Sequence, residues 1–392
     1  VTEPQVEVAV VGGGPAGAAA AWTLARRGLS VVLLEATALD APRPGESLPP
    51  QVRPTLRALG IDDPDAQLPA QPNHANQSCW GDAELRTASF IFDPYGHGWH
   101  LDRAAFDRLL FQRAQDAGAH AHWRTRLIGV EQVCATSNWR LTVAGADGAH
   151  RRLSAKGLID AGGRRSTLWR RTGARRQPLD RLVGIARTYR TAGASDSSTR
   201  VEACAQGWWY TAPLPHARRM VMLMTDADLC HRARHADAAI WEACLARTAT
   251  TREALAEAVA DSAPQVHAAH SYRLRREFAG LPWLACGDAA MALDPLSSGG
   301  IAQALRGGVA AADAMQAWLQ GDASLAREYE AALDAEFADY LDQRGAYYGM
   351  ETRWSESEFW KRRQSVNEVP ELHAQADVDE TAKAPPPAFA NA

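Results

Sequence analysis

Residues 8–36 read VAVVGGGPAGAAAAWTLARRGLSVVLLEA. An apolar run, Val8 to Val11, enters a glycine turn containing Gly12, Gly14 and Gly17. A small-residue stretch with helical character follows, and Gly28 closes it. A second apolar run, Val31 to Leu34, stops at Glu35. This pattern predicts strand, turn, helix, strand. Gly12 permits a tight turn, Gly14 lets the backbone approach a pyrophosphate, and Gly17 lets helix and strand pack closely. Pro15 and Ala16 open the helix, whose N–H groups and dipole favour phosphate charge. Glu35 stands 18 residues after Gly17, about where a carboxylate meets a ribose hydroxyl, with Ala36 beside it. An acid there favours an unphosphorylated ribose. The unit is built for FAD or NAD rather than NADP.

The rest of the chain narrows the choice. Its 392 residues suit two to three domains, and 46% hydrophobic content is that of a globular chain. A net charge of −4 gives no field for nucleic acid. No apolar run approaches the ~18–20 residues of a membrane helix, and no signal pattern appears. Six scattered cysteines without CxxC read as reduced thiols of a cytoplasmic protein, and no metal site is expected. Thirteen tryptophans suit aromatic walls, and there are only three lysines, Lys156, Lys361 and Lys383.

Along the chain, the loop after Glu35 carries Arg43, Gly45, Glu46 and Ser47. It reads equally as a surface connection or as a loop laid along a cofactor. Strand-like aromatic stretches at 88–92 and 98–101 hold His97, Trp99 and His100. Asp102 is an N-cap. Arg103 then sits in the first turn of a helix, unfavourably for the dipole, as a solvated side chain or as the holder of an anion. Residues 156–163 (KGLIDAGG) form a strand ending in small residues, and 164–171 start a helix. Between about 182 and 225 the spacing predicts an antiparallel sheet. Trp208 and Tyr210 share one face of it, opposite Trp209, as sandwich core or cavity lining. Residues 238–259 read as one helix and 325–348 as another. Residues 374–392 lack core-forming side chains and read as a disordered tail. At 287–301, a strand ends in Gly287-Asp288, and a Pro295–Gly300 turn opens an alanine-rich helix at Ile301. An acid and a glycine-initiated helix end are a second ligand grip, so Gly299, Gly300 and Ile301 face an anion-tolerant site.

Three marks together, GGGPAG with Glu35, DAGG at 160–163 and GDAAMALDPLSSGG at 287–300, resemble the FAD-dependent aromatic hydroxylase superfamily related to p-hydroxybenzoate hydroxylase. The middle mark departs from it, since Ala161-Gly162 stands where the family has an acidic pair with glycine. PRPGESLPP, LDRAAFD, GWWYTAPLP and RWSESEFWKRR are similar to the branch containing flavin-dependent halogenases. They are most similar to its non-halogenating relatives, which modify tryptophan in partner proteins during quinone-cofactor biogenesis. The resemblance implies an α/β fold: a Rossmann-like FAD-binding domain (1–72, 101–170, 271–325), an inserted mainly antiparallel β substrate domain (73–100, 171–270) and a C-terminal helical segment (326–373).

It also implies residue roles. Gly12, Gly14, Gly17 and Glu35 hold the AMP half of FAD. Arg43, Glu46, Ser47 and Arg103 flank the flavin or its phosphates. Leu127 meets the adenine and Gly162 the pyrophosphate side. Asp288 binds the ribityl and phosphate region, and Pro295 and Gly299–Ile301 lie at the flavin ring. Tryptophan halogenases carry a lysine just beyond the GES loop and a WxWxIP segment. Here no lysine precedes Lys156, and 207–215 reads GWWYTAPLP.

The implied activity is hydroxylation of an electron-rich aromatic, an indole or a tryptophan in a partner protein, through a flavin C4a-hydroperoxide. Trp99, Trp208 and Tyr210 are the substrate-side candidates, and His97 or His100 is a base or a structural histidine. With one GxGxxG unit, reduction comes from NAD(P)H docking directly or from a separate flavin reductase. A halogenase, a geranylgeranyl-reductase-like prenyl reductase and a non-catalytic flavin-binding assembly factor are the alternatives.

Overall fold

The computed structural model describes residues 4–41, 43–133, 138–192, 196–276, 278 and 280–364. The expected tail, 374–392, and Cys134 lie outside them. The chain divides into two compact units, 1–72 with 98–182 and 268–340, and 73–97 with 183–267 and 341–392. The first unit therefore takes in 98–100 and 171–182, which the sequence reading placed in the substrate domain.

The first unit is organised on the strand Gln5–Val11. It pairs in parallel with Val31–Leu34 on one side and with His150–Asp160 on the other, so that Val10 lies opposite both Leu33 and Ile159. His120–His122 extends the sheet beyond Val31–Leu34. The long strand His150–Asp160 changes neighbour along its length. Residues 150–155 pair antiparallel with Asn138–Ala144, and 158–160 pair in parallel with Trp283–Ala285. The carboxyl ends of three parallel strands thus deliver the glycine turn, DAGG and Cys286-Gly287-Asp288 to one end of the sheet, where ligands of such sheets bind. Helix Pro15–Arg26 buries Ala16 to Ala21 and packs against helix Gly300–Leu319. A Cβ on Gly308 would stand 2.2 Å from the Ala16 carbonyl oxygen, so only glycine permits that approach. Asp102 caps helix Arg103–Asp116 by accepting the Ala105 N–H at 2.9 Å.

The second unit holds an eight-stranded sheet. Its path runs Val259–Ala260, Leu182–Arg190, Arg218–Asp226, Gly207–Leu214, Ser198–Cys204, Ala75–Cys79, Arg86–Ser89, with Gln265–Ala268 joining Leu182–Arg190. The pairing Ser198–Cys204 with Ala75–Cys79 is parallel. Trp208 and Trp209 do face opposite ways. Trp209 packs edge-on to Trp241 at 4.9 Å, and Trp208 packs against Trp80 at 6.4 Å.

Three sequence expectations change. Residues 238–259 are not one helix but two, Ala238–Leu245 and Thr250–Glu253. The buried carboxylate of Glu202 accepts from the N–H groups of Ala249 and Thr251 and from both threonine hydroxyls, which restarts the chain there. Residues 164–171 form only short 3-10 turns, because the Ser166 hydroxyl is held by Asp160. The strand expected at 88–92 is Arg86–Ser89. Asp93 accepts the Tyr95 N–H and turns the chain. The helix at 325–348 runs Ser324–Met350. Cys79, Cys204, Cys230, Cys244 and Cys286 are free thiols. No helix among the described residues is long and apolar enough to cross a membrane.

Candidate functional site

Every residue expected to hold the dinucleotide lies in the first unit. Gly12 has φ +111°, and a Cβ there would meet the Ala161 oxygen at 2.2 Å and the Gly162 nitrogen at 2.8 Å. A Cβ on Gly17 would stand 1.8 Å from the Gly12 oxygen and 2.9 Å from the Ala161 Cβ. The turn, the helix and DAGG therefore interlock through missing side chains. At Gly14, the N-cap, a Cβ would meet nothing within 4 Å. Its backbone is open to a ligand, and Pro15 at the first helical position leaves the dipole end uncovered.

Glu35 is buried, and its carboxylate is fixed rather than solvated. Oε2 accepts the Gly13 N–H at 2.8 Å, and Oε1 accepts the Thr37 N–H at 2.7 Å and hydroxyl at 2.6 Å. A carboxylate offers about four acceptor positions, so a ribose hydroxyl finds a further lone pair on an oriented group. Ala36 follows it, exposed. Glu35→Gln keeps the shape and removes the charge. FAD affinity should fall about tenfold, since charge-assisted bonds are worth about 1.5–3 kcal/mol against about 1 for neutral ones. Flavin fluorescence titration measures this, and an unchanged affinity would deny Glu35 its ribose role.

The loop after Glu35 is cross-braced. Arg43 donates to the Thr37 hydroxyl at 2.8 Å and lies 3.9 Å from Glu35 and 3.6 Å from Asp107. Arg103 is mostly buried and braced from within. It donates to the carbonyls of Pro44 at 2.9 Å and Gly45 at 2.7 Å and pairs with Asp107. Those contacts offset its unfavourable place at the helix start. Glu46 is buried, and Ser47 begins a short strand opposite His100.

The second grip closes on the first. Gly287 has φ +56°, and a Cβ there would lie 2.7 Å from the Ala16 Cβ and 3.6 Å from the Ala304 Cβ. The Gly287-Asp288 turn thus sits against both helices. Asp288 pairs with Arg164 at 3.1 Å. Arg164 also donates to the carbonyls of His270 and, at 2.7 Å, Leu293. It ties DAGG, the returning chain and the second grip together. Asp160 is fully buried and accepts from the Gly162 N–H and the Ser166 hydroxyl. Burial pushes its pKa up, and those two bonds pull the other way.

Asp294 caps the Pro295–Ser297 turn and Ser298 is left-handed; a Cβ on Gly299 would touch only the Ser297 oxygen, at 3.7 Å, and one on Gly300, just before Ile301, would meet nothing within 4 Å. Gln303, 5% exposed, has a buried Oε1 without a hydrogen-bond partner one turn into this helix. Such an atom is costly unless a ligand donor satisfies it. Leu127, half-buried, lies opposite Val143 at the sheet edge. Two open helix ends, a fixed acid, a turn that only glycine fits and an orphaned buried acceptor suit FAD. Bound there, FAD supplies redox and oxygen chemistry.

Sequence reasoning missed Thr37, Arg164, Arg176 and Gln303. Arg164 had a signal, a basic residue directly behind DAGG. Arg176 stacks on Tyr272 at 3.5 Å, and burial pulls its pKa down to about 10.

The aromatic candidates divide between the units. In the first, Trp99 is core: it is 1% exposed, donates to Asp65 at 2.8 Å and lies under the Arg53 guanidinium at 4.3 Å. His100 beside it is fully buried. In the second, Trp208 is fully buried and donates to the Tyr348 hydroxyl at 3.0 Å. Tyr210 is 7% exposed. His97 lies edge-on to His74 at 5.3 Å. Trp99 and Trp208 are thus accounted for by packing and hydrogen bonding.

Comparison with known proteins gives the family. A family model described as an FAD binding domain matches residues 5–335. LodB of Marinomonas mediterranea, named as an FAD-dependent oxidoreductase, is 30% identical over 91% of this chain and 96% of its own. The structure of CmlS, a flavin-dependent halogenase, is 27% identical, covers 94% of this chain and 69% of that one, and has a TM-score of 0.82. The structure of QhpG, a peptidyl tryptophan dihydroxylase essential for tryptophylquinone cofactor biogenesis, is 26% identical over 95% of this chain and 82% of that one, with a TM-score of 0.71. With the family matched across most of its length and the two grips in place, the chain belongs to the FAD-binding-domain family and is an FAD-dependent oxidoreductase.

Proposed function

We propose that the protein is a flavin monooxygenase that hydroxylates an electron-rich aromatic ring, an indole, carried as a tryptophan in a partner protein. The observation that carries this reading is the lysine distribution. In the FAD-binding unit the only lysine is Lys156. It is exposed on His150–Asp160, far in sequence from the Glu46-Ser47 loop where tryptophan halogenases carry theirs. Without a lysine there, the chain lacks the group that delivers hypohalous acid. The similarity to a peptidyl tryptophan dihydroxylase supports a protein-borne substrate.

In this reading the residues of the chain bind and orient. Gly12, Gly14, Gly17 and Glu35 seat the AMP half of FAD, and Gly162 faces its pyrophosphate. Asp288, held by Arg164, accepts from the ribityl hydroxyls. With FAD bound, the helix end at Gly299–Ile301 would turn its dipole toward the ring and favour negative charge there, and the unpartnered Gln303 Oε1 would accept a hydrogen bond from the cofactor. Arg43, Arg103, Glu46 and Ser47 hold the loop beside it. His97 and His100 remain the base candidates, with Tyr210 on the substrate side. Electrons come from NAD(P)H, directly or through a flavin reductase.

The test is intact mass. Holoenzyme, reductant, O2 and a tryptophan-containing partner should give a partner heavier by one or two oxygen atoms, with the label following 18O2. Added chloride or bromide should leave the product unchanged. A halogenated product, or no mass change after turnover, would overturn the reading.

A further inference from the structure

Residues 89–97, SFIFDPYGH, place an apolar knob on the surface of the second unit. Phe92 is 93% exposed, Ile91 77% and Tyr95 42%. They are three of the ten large hydrophobic side chains that stand exposed among the described residues, and they fall within five positions. Single exposed apolar side chains are ordinary, whereas a cluster marks an interaction surface. The knob is also stiff. The N–H of Phe90 donates to the His74 carbonyl, that of Asp93 to the Phe90 carbonyl and that of Gly96 to the Asp93 carbonyl, each at 2.9 Å. The Ser89 hydroxyl accepts the Ile91 N–H at 3.2 Å, and the Asp93 carboxylate accepts the Tyr95 N–H at 2.9 Å. Side chains presented on a backbone fixed in this way lose little further freedom when a partner covers them.

The knob continues an open sheet edge. The strand Arg86–Ser89, just before it, ends the path of the eight-stranded sheet and pairs on its inner side with Ala75–Cys79, from Arg86 opposite Ser78 to Ser89 opposite Ala75. Among the described residues no strand lies beyond it. Such an edge offers backbone donors and acceptors to an added strand. It is only four residues long, so it sets register while the knob supplies the buried area. Charge then selects the partner. Residues 82–97 carry three acids, Asp82, Glu84 and Asp93, against one arginine, Arg86, a net charge of −2. Arg86 is paired with Asp82, and Glu84 is exposed. A second copy docked about a two-fold axis would set this acidic margin against itself, and an anionic lipid surface would meet like charge. A segment with basic residues flanking apolar ones meets neither penalty.

We propose that this surface docks an extended, basic-flanked segment of a second protein. The backbone of the segment adds beside Arg86–Ser89, its apolar side chains cover Ile91 and Phe92, and its basic residues lie along the margin of Asp82 and Glu84. The segment is that of the tryptophan-bearing partner, a step that rests on the proposed function. Its docking contacts are made by residues other than the reacting indole, so they distinguish a tryptophan in that protein from the free amino acid.

The test pans a display library of random peptides of about twelve residues, each holding one tryptophan, against the oxidised holoenzyme; that length spans the edge and the knob when extended. Enriched peptides are then labelled and titrated by fluorescence anisotropy. They should carry Lys or Arg beside apolar residues. Against Ile91→Ser/Phe92→Ser their Kd should rise at least about thirtyfold, the loss expected of anchor side chains. Against Glu84→Lys it should rise about threefold to tenfold at low salt and converge on wild type near about 300 mM, where screening is strong. Both variants should keep the wild-type flavin absorbance, because the residues assigned to FAD lie in the other unit. If the serine pair melts early, Phe92→Ala alone carries the test. No enriched peptide, or peptides with the same Kd in wild type and variants, would overturn the proposal. So would light scattering that shows a dimer dissociated by the serine pair, or vesicles containing phosphatidylglycerol that retain wild type and release the variant. Binding needs neither reductant nor O2, so its failure is separate from a failure of hydroxylation, which the mass of the partner decides.

Discussion

Gly17→Ala should yield a protein that purifies without FAD. The added methyl would stand 1.8 Å from the Gly12 carbonyl oxygen and 2.9 Å from the Ala161 Cβ, and the first of these is backbone. The start of helix Pro15–Arg26 must then withdraw by more than an ångström. Gly12 cannot follow, since it already sits at φ +111° with the Ala161 carbonyl where its own side chain would be. Nor can the helix slide freely the other way, because Gly308 holds helix Gly300–Leu319 against the Ala16 carbonyl. Overpacking typically costs about 1–3 kcal/mol where side chains can yield, and here main chain must. The N–H groups at the helix start, proposed to take the pyrophosphate, move with the helix. FAD affinity should drop at least about a hundredfold, roughly 3 kcal/mol. Visible flavin absorbance per protein and a fluorescence titration measure it. Gly14→Ala is the control: its Cβ meets nothing within 4 Å, so the fold should survive and only the approach of the phosphates should suffer. Equal FAD binding by Gly17→Ala and wild type would refute the interlock.

Why the close-packed glycine turns could be read from the sequence, while the surroundings of the aromatic side chains could not, follows from the same contrast. A glycine turn is a statement about backbone geometry. Gly12, Gly17 and Gly287 each mark a place where no Cβ fits, and spacing carries that information locally. The Asp102 cap is equally local. The aromatic residues are different. Alternation puts Trp208 and Trp209 on opposite faces but does not say what covers a face, and Trp208 is covered by Trp80 and Tyr348, far off in the chain. Trp99 is a substrate-side candidate by its aromatic strand alone, and its neighbours Asp65 and Arg53 come from elsewhere in the chain. The single helix expected at 238–259 fails for a similar reason: Glu202, on a distant strand, competes for its backbone N–H groups. Arg103 looked costly because its acceptors, the Pro44 and Gly45 carbonyls, belong to a loop with no periodicity. Arg164 and Gln303 lay beside recognised motifs, but their roles depend on Asp288 and on an empty hydrogen-bonding direction that no spacing encodes.

Arg363→Ala should have the largest effect on the stability of the second unit. Helix Glu358–Gln364 lies against the sheet of that unit, its Trp360 indole donating to the Cys204 carbonyl at 2.9 Å. Behind it, Arg363 donates to both oxygens of Asp226, at 2.6 and 3.3 Å, with the two side chains 2% and 3% exposed. Its guanidinium also lies 3.7 Å over the Phe359 ring. Truncation removes a charge, a stacked plane and the filling of a buried site at once. It leaves Asp226 buried with Arg362, at 2.8 Å, as its partner. Losing one member of a buried pair typically costs about 3–5 kcal/mol, which lowers a melting midpoint by on the order of 10 °C for a unit of this size. Tryptophan fluorescence should report the early transition. Flavin absorbance should persist through it, because all the residues assigned to FAD belong to the other unit. Arg363→Lys should recover only part of the loss, since an ammonium cannot bridge both carboxylate oxygens as a planar fork does. Asp226→Asn/Arg363→Met should be more stable than Arg363→Ala, because it removes a buried carboxylate that has lost one of its two arginines and keeps the volume. If the single alanine variant melts with wild type, the ion pair is incidental, and the aromatic packing around Trp360 carries the helix alone.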